Sequence, residues 1–276
     1  MLDGSALKDV YDRDGYAFPF RAMGAEQARA YRDMLEAHEA AHGGPLQHQW
    51  RHQMHMLFTW VDEIVRAPAI LDRVEDVIGP DILVWGANFF IKEPNTPDFV
   101  SWHQDATYWG LEPHDQIITA WLALSDVPVA SGAMKFLAGS HKTGQAAHQD
   151  TYHEDNLLPR GQELAVEVNA DEAADVALNA GEFSLHHVLL AHGSHPNTTD
   201  DRRIGLAIRY IPTSVRQTKL RDCAVLVRGE DRYGHFDLFD PPKADLDAQA
   251  LANHADSTER LKRALYSDAD QKDFRA

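Results

Sequence analysis

A single cysteine, Cys223, stands in the 276 residues of this chain. No internal disulfide can form, which suits a reducing compartment, and the apolar, strand-like surroundings of Cys223 read as those of a buried, inert thiol. Basic residues are scarce: 26 Lys and Arg face 43 Asp and Glu, a formal net charge of −17. That balance argues against nucleic-acid partners and anionic membranes, both of which need basic patches. It also means that an anionic ligand must be held by local positive groups working against the field of the whole molecule. The acidity itself is read as a matter of solubility or of a salty habitat. Long apolar runs are missing too, none approaching the ~20 residues that a membrane-spanning helix requires. Met1–Ser5 lacks the basic and apolar regions of a secretory leader, so a cytoplasmic location is expected. With no repeat, low-complexity tract or linker, and with 44% hydrophobic and 25% charged residues, the composition is ordinary for a globular protein. One domain is the simplest organisation.

What is present changes texture part-way along the chain. A turn into a short strand at Asp14–Phe18 comes first. Then Ala28, Tyr31, Leu35 and His38 recur at three- and four-residue spacing and predict a helix over 25–41, ended by Gly43-Gly44-Pro45. His48–His55 has no clean period and reads as a loop or irregular strand. Helical periodicity returns over 57–78, with a break expected at Pro68, because proline suits a helix's first turn and not its interior. From Asp81 short β-rich runs are parted by Gly, Pro, Asn and Asp: 82–91, 117–124, 133–137, 164–168, 182–187, 204–211 and 224–227. Runs at this spacing suggest a closed or sandwiched antiparallel sheet. The stretch 139–161 reads as an irregular insertion or lid, and a last amphipathic helix is expected over 245–265. The fold class is thus mainly β with flanking helices: a helical part over 1–80, a cupin-like double-stranded β-helix (jelly roll) over about 81–228, and the C-terminal helix.

The chemistry centres on Ser101-Trp102-His103-Gln104-Asp105. In an extended segment, residues two apart point to the same side, so His103 and Asp105 can present an imidazole nitrogen and a carboxylate oxygen to one point. A second histidine from a distant strand would complete a 2-His-1-carboxylate face with open metal positions, the ligand set of non-haem Fe(II) oxygenases. His-x-Asp alone is unspecific in a chain with 16 histidines. A second stretch, Ala191-His192-Gly193-Ser194-His195-Pro196-Asn197, followed by Arg203, narrows it. The late histidine has rivals in His186, His187 and His195. On a strand His186 and His187 point to opposite faces, so one of them can face the site.

Together the two stretches resemble the phytanoyl-CoA dioxygenase family of Fe(II)/2-oxoglutarate oxygenases, of which ectoine hydroxylase is a member. That family pairs an early His-x-Asp with a late His-Gly-Ser-x-x-Asn and an arginine eleven residues past the late histidine. The matching residues here are His103, Asp105, the run His192–Asn197 and Arg203; the family's tryptophan eighteen residues after the first histidine falls on Trp121. The likeness runs from Asp14-Gly15-Tyr16 to about Pro212. It implies the jelly-roll fold, Fe(II) held by His103, Asp105 and His192, and O2 and 2-oxoglutarate as cosubstrates. It further implies that Arg203 holds the far carboxylate of 2-oxoglutarate, with Ser194 and Trp121 beside it. Arginine suits that task, since its fork makes two parallel charge-assisted bonds to a carboxylate; Arg209 is its rival. Halogenating relatives have a small residue in place of the carboxylate, so Asp105 favours hydroxylation.

Candidate residues for the substrate pocket are Arg51, His55, Asn88, Gln104, Thr107, Tyr108, Trp109 and Lys135. This polar and aromatic set suits a small polar or charged metabolite better than a long acyl chain, and each member has a packing role as its alternative. Two other readings compete: a metal-dependent cupin-type enzyme that does not use 2-oxoglutarate, and a non-catalytic jelly-roll binding protein. The first has no need of the Arg203 and Ser194 pair, and an intact triad with an intact arginine argues against the second.

Overall fold

In this structure, a computed structural model that describes residues 4–269, four helices come early in the chain: α1 (Gly4–Asp14), α2 (Ala25–Ala41), α3 (Thr59–Val65) and α4 (Pro68–Ile78). Strand β1 (Tyr16–Arg21) lies between the first two. Proline is tolerated at the first position of α4 because its missing N–H has no intrahelical partner there, and it divides the 57–78 periodicity into two helices. Helix α1 escaped the sequence reading: its apolar stripe is only Leu7 and Tyr11, one turn apart. The segment His48–His55 forms two short 3-10 turns and no strand.

The strands that follow are β2 (Ile82–Lys92), β3 (Val100–His103), β4 (Leu111–Glu112), β5 (Ile118–Ala123), β6 (Met134–Phe136), β7 (His148–Asp150), β8 (Gln162–Leu164), β9 (Ala174–Val176), β10 (Glu182–His187), β11 (His192–Ser194), β12 (Arg203–Pro212), β13 (Arg216–Gln217), β14 (Cys223–Arg228) and β15 (Asp237–Leu238). Helix α5 (Ala248–Leu265) is capped by Asp247, whose carboxylate accepts from the N–H groups of Gln249 and Ala250. The run expected as a strand over 164–168 is shifted: pairing with β7 draws in Gln162–Leu164 instead. The insertion over 139–161 therefore carries one strand of a hairpin and is not irregular throughout. Cys223 is buried, and burial pushes its thiol up to about 12. No helix among the described residues is long and apolar enough to cross a membrane.

Two sheets make the jelly roll. The larger has the order β1-β10-β5-β12-β2-β14-β15, the smaller β3-β11-β6-β9. Central strand β12 is buried along its whole length, which requires both faces to be covered. Ile204, Leu206, Ile208 and Tyr210 join the helices in the main core. Arg203, Ala207 and Arg209 alternate to the other side and line a cavity between the sheets. Opposite Arg209 and Tyr210 the register of β2 slips past Trp85. This bulge re-aims the side chains: Ile82 and Val84, like Ala87, Phe89 and Ile91, face the helices, while Trp85 packs with Trp109 beside α5.

Gly205 has a steric reason to be glycine. A Cβ there would lie 1.8 Å from Cζ2 of Trp121, so the indole rests flat on the backbone of β12. Gly205→Ala is expected to destabilise the protein by about 1–3 kcal/mol through overpacking and to push Trp121 into the cavity; thermal denaturation reads the first effect.

Candidate active site

Pairing between β11 and β3 sets His192 directly across from His103. Each imidazole donates from Nδ1 to a backbone carbonyl two residues upstream: His103 to Ser101 at 2.9 Å and His192 to Leu190 at 2.9 Å. These bonds fix the tautomer and leave both Nε2 atoms as acceptors aimed at one point. Asp105 lies just past the end of β3, in a turn. Its Oδ1 is 3.5 Å from His103 Nε2 and 4.0 Å from His192 Nε2. All three donors fall within 4.8 Å of one another. Adjacent donors bound to one ion at about 2.1 Å are roughly 3 Å apart, so a contraction of no more than a side-chain adjustment would close the triad on a metal. The donor set fits Fe(II).

Protonation agrees with that use. Burial alone would raise the Asp105 pKa, but the imidazoles of His103, His186 and His192 around it, with the Arg209 guanidinium, hold the carboxyl well below the usual range. Burial, with repulsion from His103, keeps His192 well below the ordinary imidazole range. The second carboxylate oxygen, Oδ2, is engaged elsewhere: Thr119 Oγ1 donates to it at 2.9 Å and His186 Nε2 lies 3.4 Å away. His186, Thr119 and Arg209 form one cross-strand row over β10, β5 and β12, a polar floor under Asp105.

Arg203 occupies the other end of the cavity. It is buried, with Nη1 donating to Gly132 O at 2.8 Å and Nη2 to Phe90 O at 3.4 Å. Its Nε has no partner, and its guanidinium lies 5.3 Å from the Trp121 ring centroid. Burial pushes it down to about 9, still cationic at neutral pH, and no carboxylate among the described residues pairs with it. Across β2, Lys92 is opposite Arg203 and donates to Ser194 Oγ at 2.7 Å, to Ser194 O at 3.3 Å and to His195 O. Burial, then the Arg203 charge, pushes the amine down to about 6, whereas three acceptors around Nζ favour the ammonium. An anion beside Arg203 and Lys92 would tip that balance toward the ammonium.

The sequence matches the phytanoyl-CoA dioxygenase (PhyH) family over residues 11–205, a span that includes the triad and Arg203. The chain belongs to the phytanoyl-CoA dioxygenase family. It is 32% identical over 166 residues to a probable alpha-ketoglutarate-dependent hypophosphite dioxygenase of Stutzerimonas stutzeri, covering 56% of this chain and 54% of that protein; the chain thus spans about half the length of the curated relatives it matches. Among solved structures, the non-heme monooxygenase ThoJ in its apo form is 37% identical, with a TM-score of 0.83 over 95% of this chain and 98% of that one. CytC3 with Fe(II) and alpha-ketoglutarate, 22% identical, shares the fold at a TM-score of 0.64 over 87% and 93%.

Within this member of the phytanoyl-CoA dioxygenase family, one cavity brings together His103, Asp105, His192, Trp121, Ser194 and Arg203. A second cavity continues from it, sharing Asp105, Phe90 and Arg209, and takes in Asn88 and Trp109. The remaining substrate candidates lie outside both cavities. Gln104 holds loops together, bonding Gly144 O, Leu189 O and Ala146 N. The Tyr108 hydroxyl donates to Asp150, Arg51 donates to Leu46 O, Thr107 bonds His148, and Lys135 pairs with Asp175. His55 is buried in the second 3-10 turn, driven down to about 3 by burial. Of the rival histidines, His186 faces the cavity, His187 accepts from Leu189 N–H on the opposite face, and His195 is exposed. Lys92, Thr119 and Gly205 were not singled out from sequence. Thr119 was legible two positions before Trp121, on the same strand face; Lys92 was legible as a charge closing the apolar run 82–91.

His192→Ala is expected to lose stoichiometric Fe(II) binding, whereas His187→Ala and His195→Ala retain it. Anaerobic metal titration of the three variants separates them, and tight iron binding by His192→Ala would refute the ligand assignment.

Proposed function

We propose that the protein is an Fe(II)- and 2-oxoglutarate-dependent dioxygenase that hydroxylates a small polar metabolite and releases succinate and CO2. The observation that carries the reading is Arg203: a buried guanidinium without a carboxylate partner among the described residues, in the same cavity as a 2-His-1-carboxylate triad. Burying a charge that lacks a partner is expensive, and a dicarboxylate ligand supplies the partner. A cupin-type enzyme without 2-oxoglutarate, or a binding protein, has no use for that charge.

Each residue has a task in this reading. His103, Asp105 and His192 hold the iron, and the Nδ1 bonds to Ser101 and Leu190 orient the two imidazoles. Iron, when bound, supplies O2 activation coupled to oxidative decarboxylation of the cosubstrate. Arg203 receives the far carboxylate of 2-oxoglutarate; Ser194, its oxygen held by Lys92, turns its proton toward the same group. Trp121 walls the cosubstrate off from water and lies against Arg203. Thr119 and His186 keep Asp105 Oδ2 turned away, leaving Oδ1 for the metal. Asp105 occupies the position a halide would need, which supports hydroxylation. The chain works as one catalytic domain in a reducing cytoplasm; its formal charge of −17 disfavours nucleic acids and anionic membranes as partners.

Loss of a charge-assisted pair in a desolvated site weakens binding by about 2–5 kcal/mol. Arg203→Ala should therefore raise the apparent 2-oxoglutarate constant by a factor of tens or more and leave Fe(II) affinity close to wild type. Succinate release against 2-oxoglutarate concentration checks the first, and anaerobic iron titration the second. An unchanged constant in Arg203→Ala, with a large rise in Arg209→Ala, would move the cosubstrate to the other arginine and defeat this assignment.

A further inference from the structure

Arg209 is the second buried arginine on the cavity face of β12. It is six residues from Arg203, about 20 Å along the strand, and only Gly205 and Ala207 lie between them on that face. Its Nη1 donates to Ala207 O at 3.1 Å, and its Nε is buried without a partner. No carboxylate lies at ion-pair distance among the described residues; Asp105, the acidic group in the adjoining wall, is turned toward His103, His186 and Thr119. The guanidinium sits between the Phe90 and Trp109 rings, at 5.6 and 5.5 Å from their centroids. It therefore stands where the cavity of the triad opens into the second cavity, whose remaining walls are aromatic and aliphatic with the His52 imidazole and the amides of Gln53, Asn88 and Gln162.

We infer that the second cavity is the substrate site and that Arg209 selects a substrate bearing one anionic group, a carboxylate or phosphonate, on a compact apolar or aromatic body. This rests on the proposed function and deepens it. Formal charge favours the assignment. Iron brings two positive charges and the two arginines one each; Asp105 removes one and 2-oxoglutarate two. One positive charge remains, before Lys92 is counted, and it is Arg209 that has no partner. A cationic substrate would find no carboxylate in this wall other than the metal ligand. A neutral one would leave the guanidinium buried and unpaired, an arrangement that costs affinity. Trp109 and Phe90 flank the arginine and give the apolar part of the substrate a surface beside it.

The test uses the protein loaded anaerobically with Fe(II) and saturating 2-oxoglutarate, and reads binding without turnover: the shift of the Fe(II)–2-oxoglutarate absorption band and the rise in Tm. The probes are two matched sets, 3-phenylpropionate with its amide and amine, and hexanoate with its amide and amine. Acids should bind roughly ten-fold or more tightly than their amides, as one charged hydrogen-bonded contact predicts, and the amines most weakly. Arg209→Gln should abolish that preference, and Arg209→Lys should retain part of it, which covers the case of a Gln variant that does not fold. Acid, amide and amine behaving alike in the wild type, whether all bind or none does, overturns the inference, as does undiminished acid binding by Arg209→Gln. Absence of the absorption band in the wild type would instead remove the 2-oxoglutarate reading beneath it, so the two failures are distinguishable.

Discussion

The site depends on one register: His192 of β11 opposite His103 of β3. Side chains on a strand alternate with a period of two, so a slip of a single residue would turn His192 out of the cavity and bring a neighbour in. The pairing is held from both sides, since β11 also pairs with β6, with His192 opposite Phe136 and Ser194 opposite Met134. The same three residues of β11 thus place a candidate metal donor and, two positions on, the hydroxyl that Lys92 grips. Gly193 between them lies against the backbone of β3, where a Cβ would be 3.0 Å from Val100 O, so the close approach of the two strands leaves a larger residue little room.

Charge is the second organising feature. A protein with a formal charge of −17 keeps two arginines and a lysine inside the sheet sandwich, none of them balanced by a carboxylate at ion-pair distance among the described residues. Elsewhere its arginines behave conventionally: Arg202, next to Arg203 in sequence, points the other way and pairs with Glu36, Glu39 and Glu93. The turn of the chain at the start of β12 thus separates a cation paired with carboxylates from one that faces the cavity without any. The interior positive charge is what an anionic cosubstrate, and on our inference an anionic substrate, completes.

Much of this was legible in the sequence. The helix over 25–41, the break at Pro68, strands at 82–91, 182–187 and 204–211, and the C-terminal helix follow from periodicity and from proline and glycine chemistry, and the structure places them there. The metal candidates His103, Asp105 and His192 were legible because motif and spacing coincide. Of the substrate candidates only Asn88 and Trp109 line the second cavity. Gln104, adjacent to the metal motif, looked like a pocket residue, yet loop carbonyls capture its amide. Tyr108 likewise turns to Asp150 and stacks under Arg160. Conversely, residues far apart in sequence and not among those candidates, Gln53, Gln162 and Leu261, meet in one cavity, an outcome set by the packing of α5 and the 48–56 turns on the sheet. Periodicity reports which face is apolar; it does not report which loops close over the other.

The central claim is that one iron and one 2-oxoglutarate bind together in the cavity between the sheets. Anaerobic titration of the metal-free protein with Fe(II) and 2-oxoglutarate, followed by visible absorption, tests it most directly, since no substrate need be known. The account predicts a weak charge-transfer band that requires both components and saturates at one of each per chain. Iron bound without such a band at saturating 2-oxoglutarate, or no iron bound at all, would contradict it.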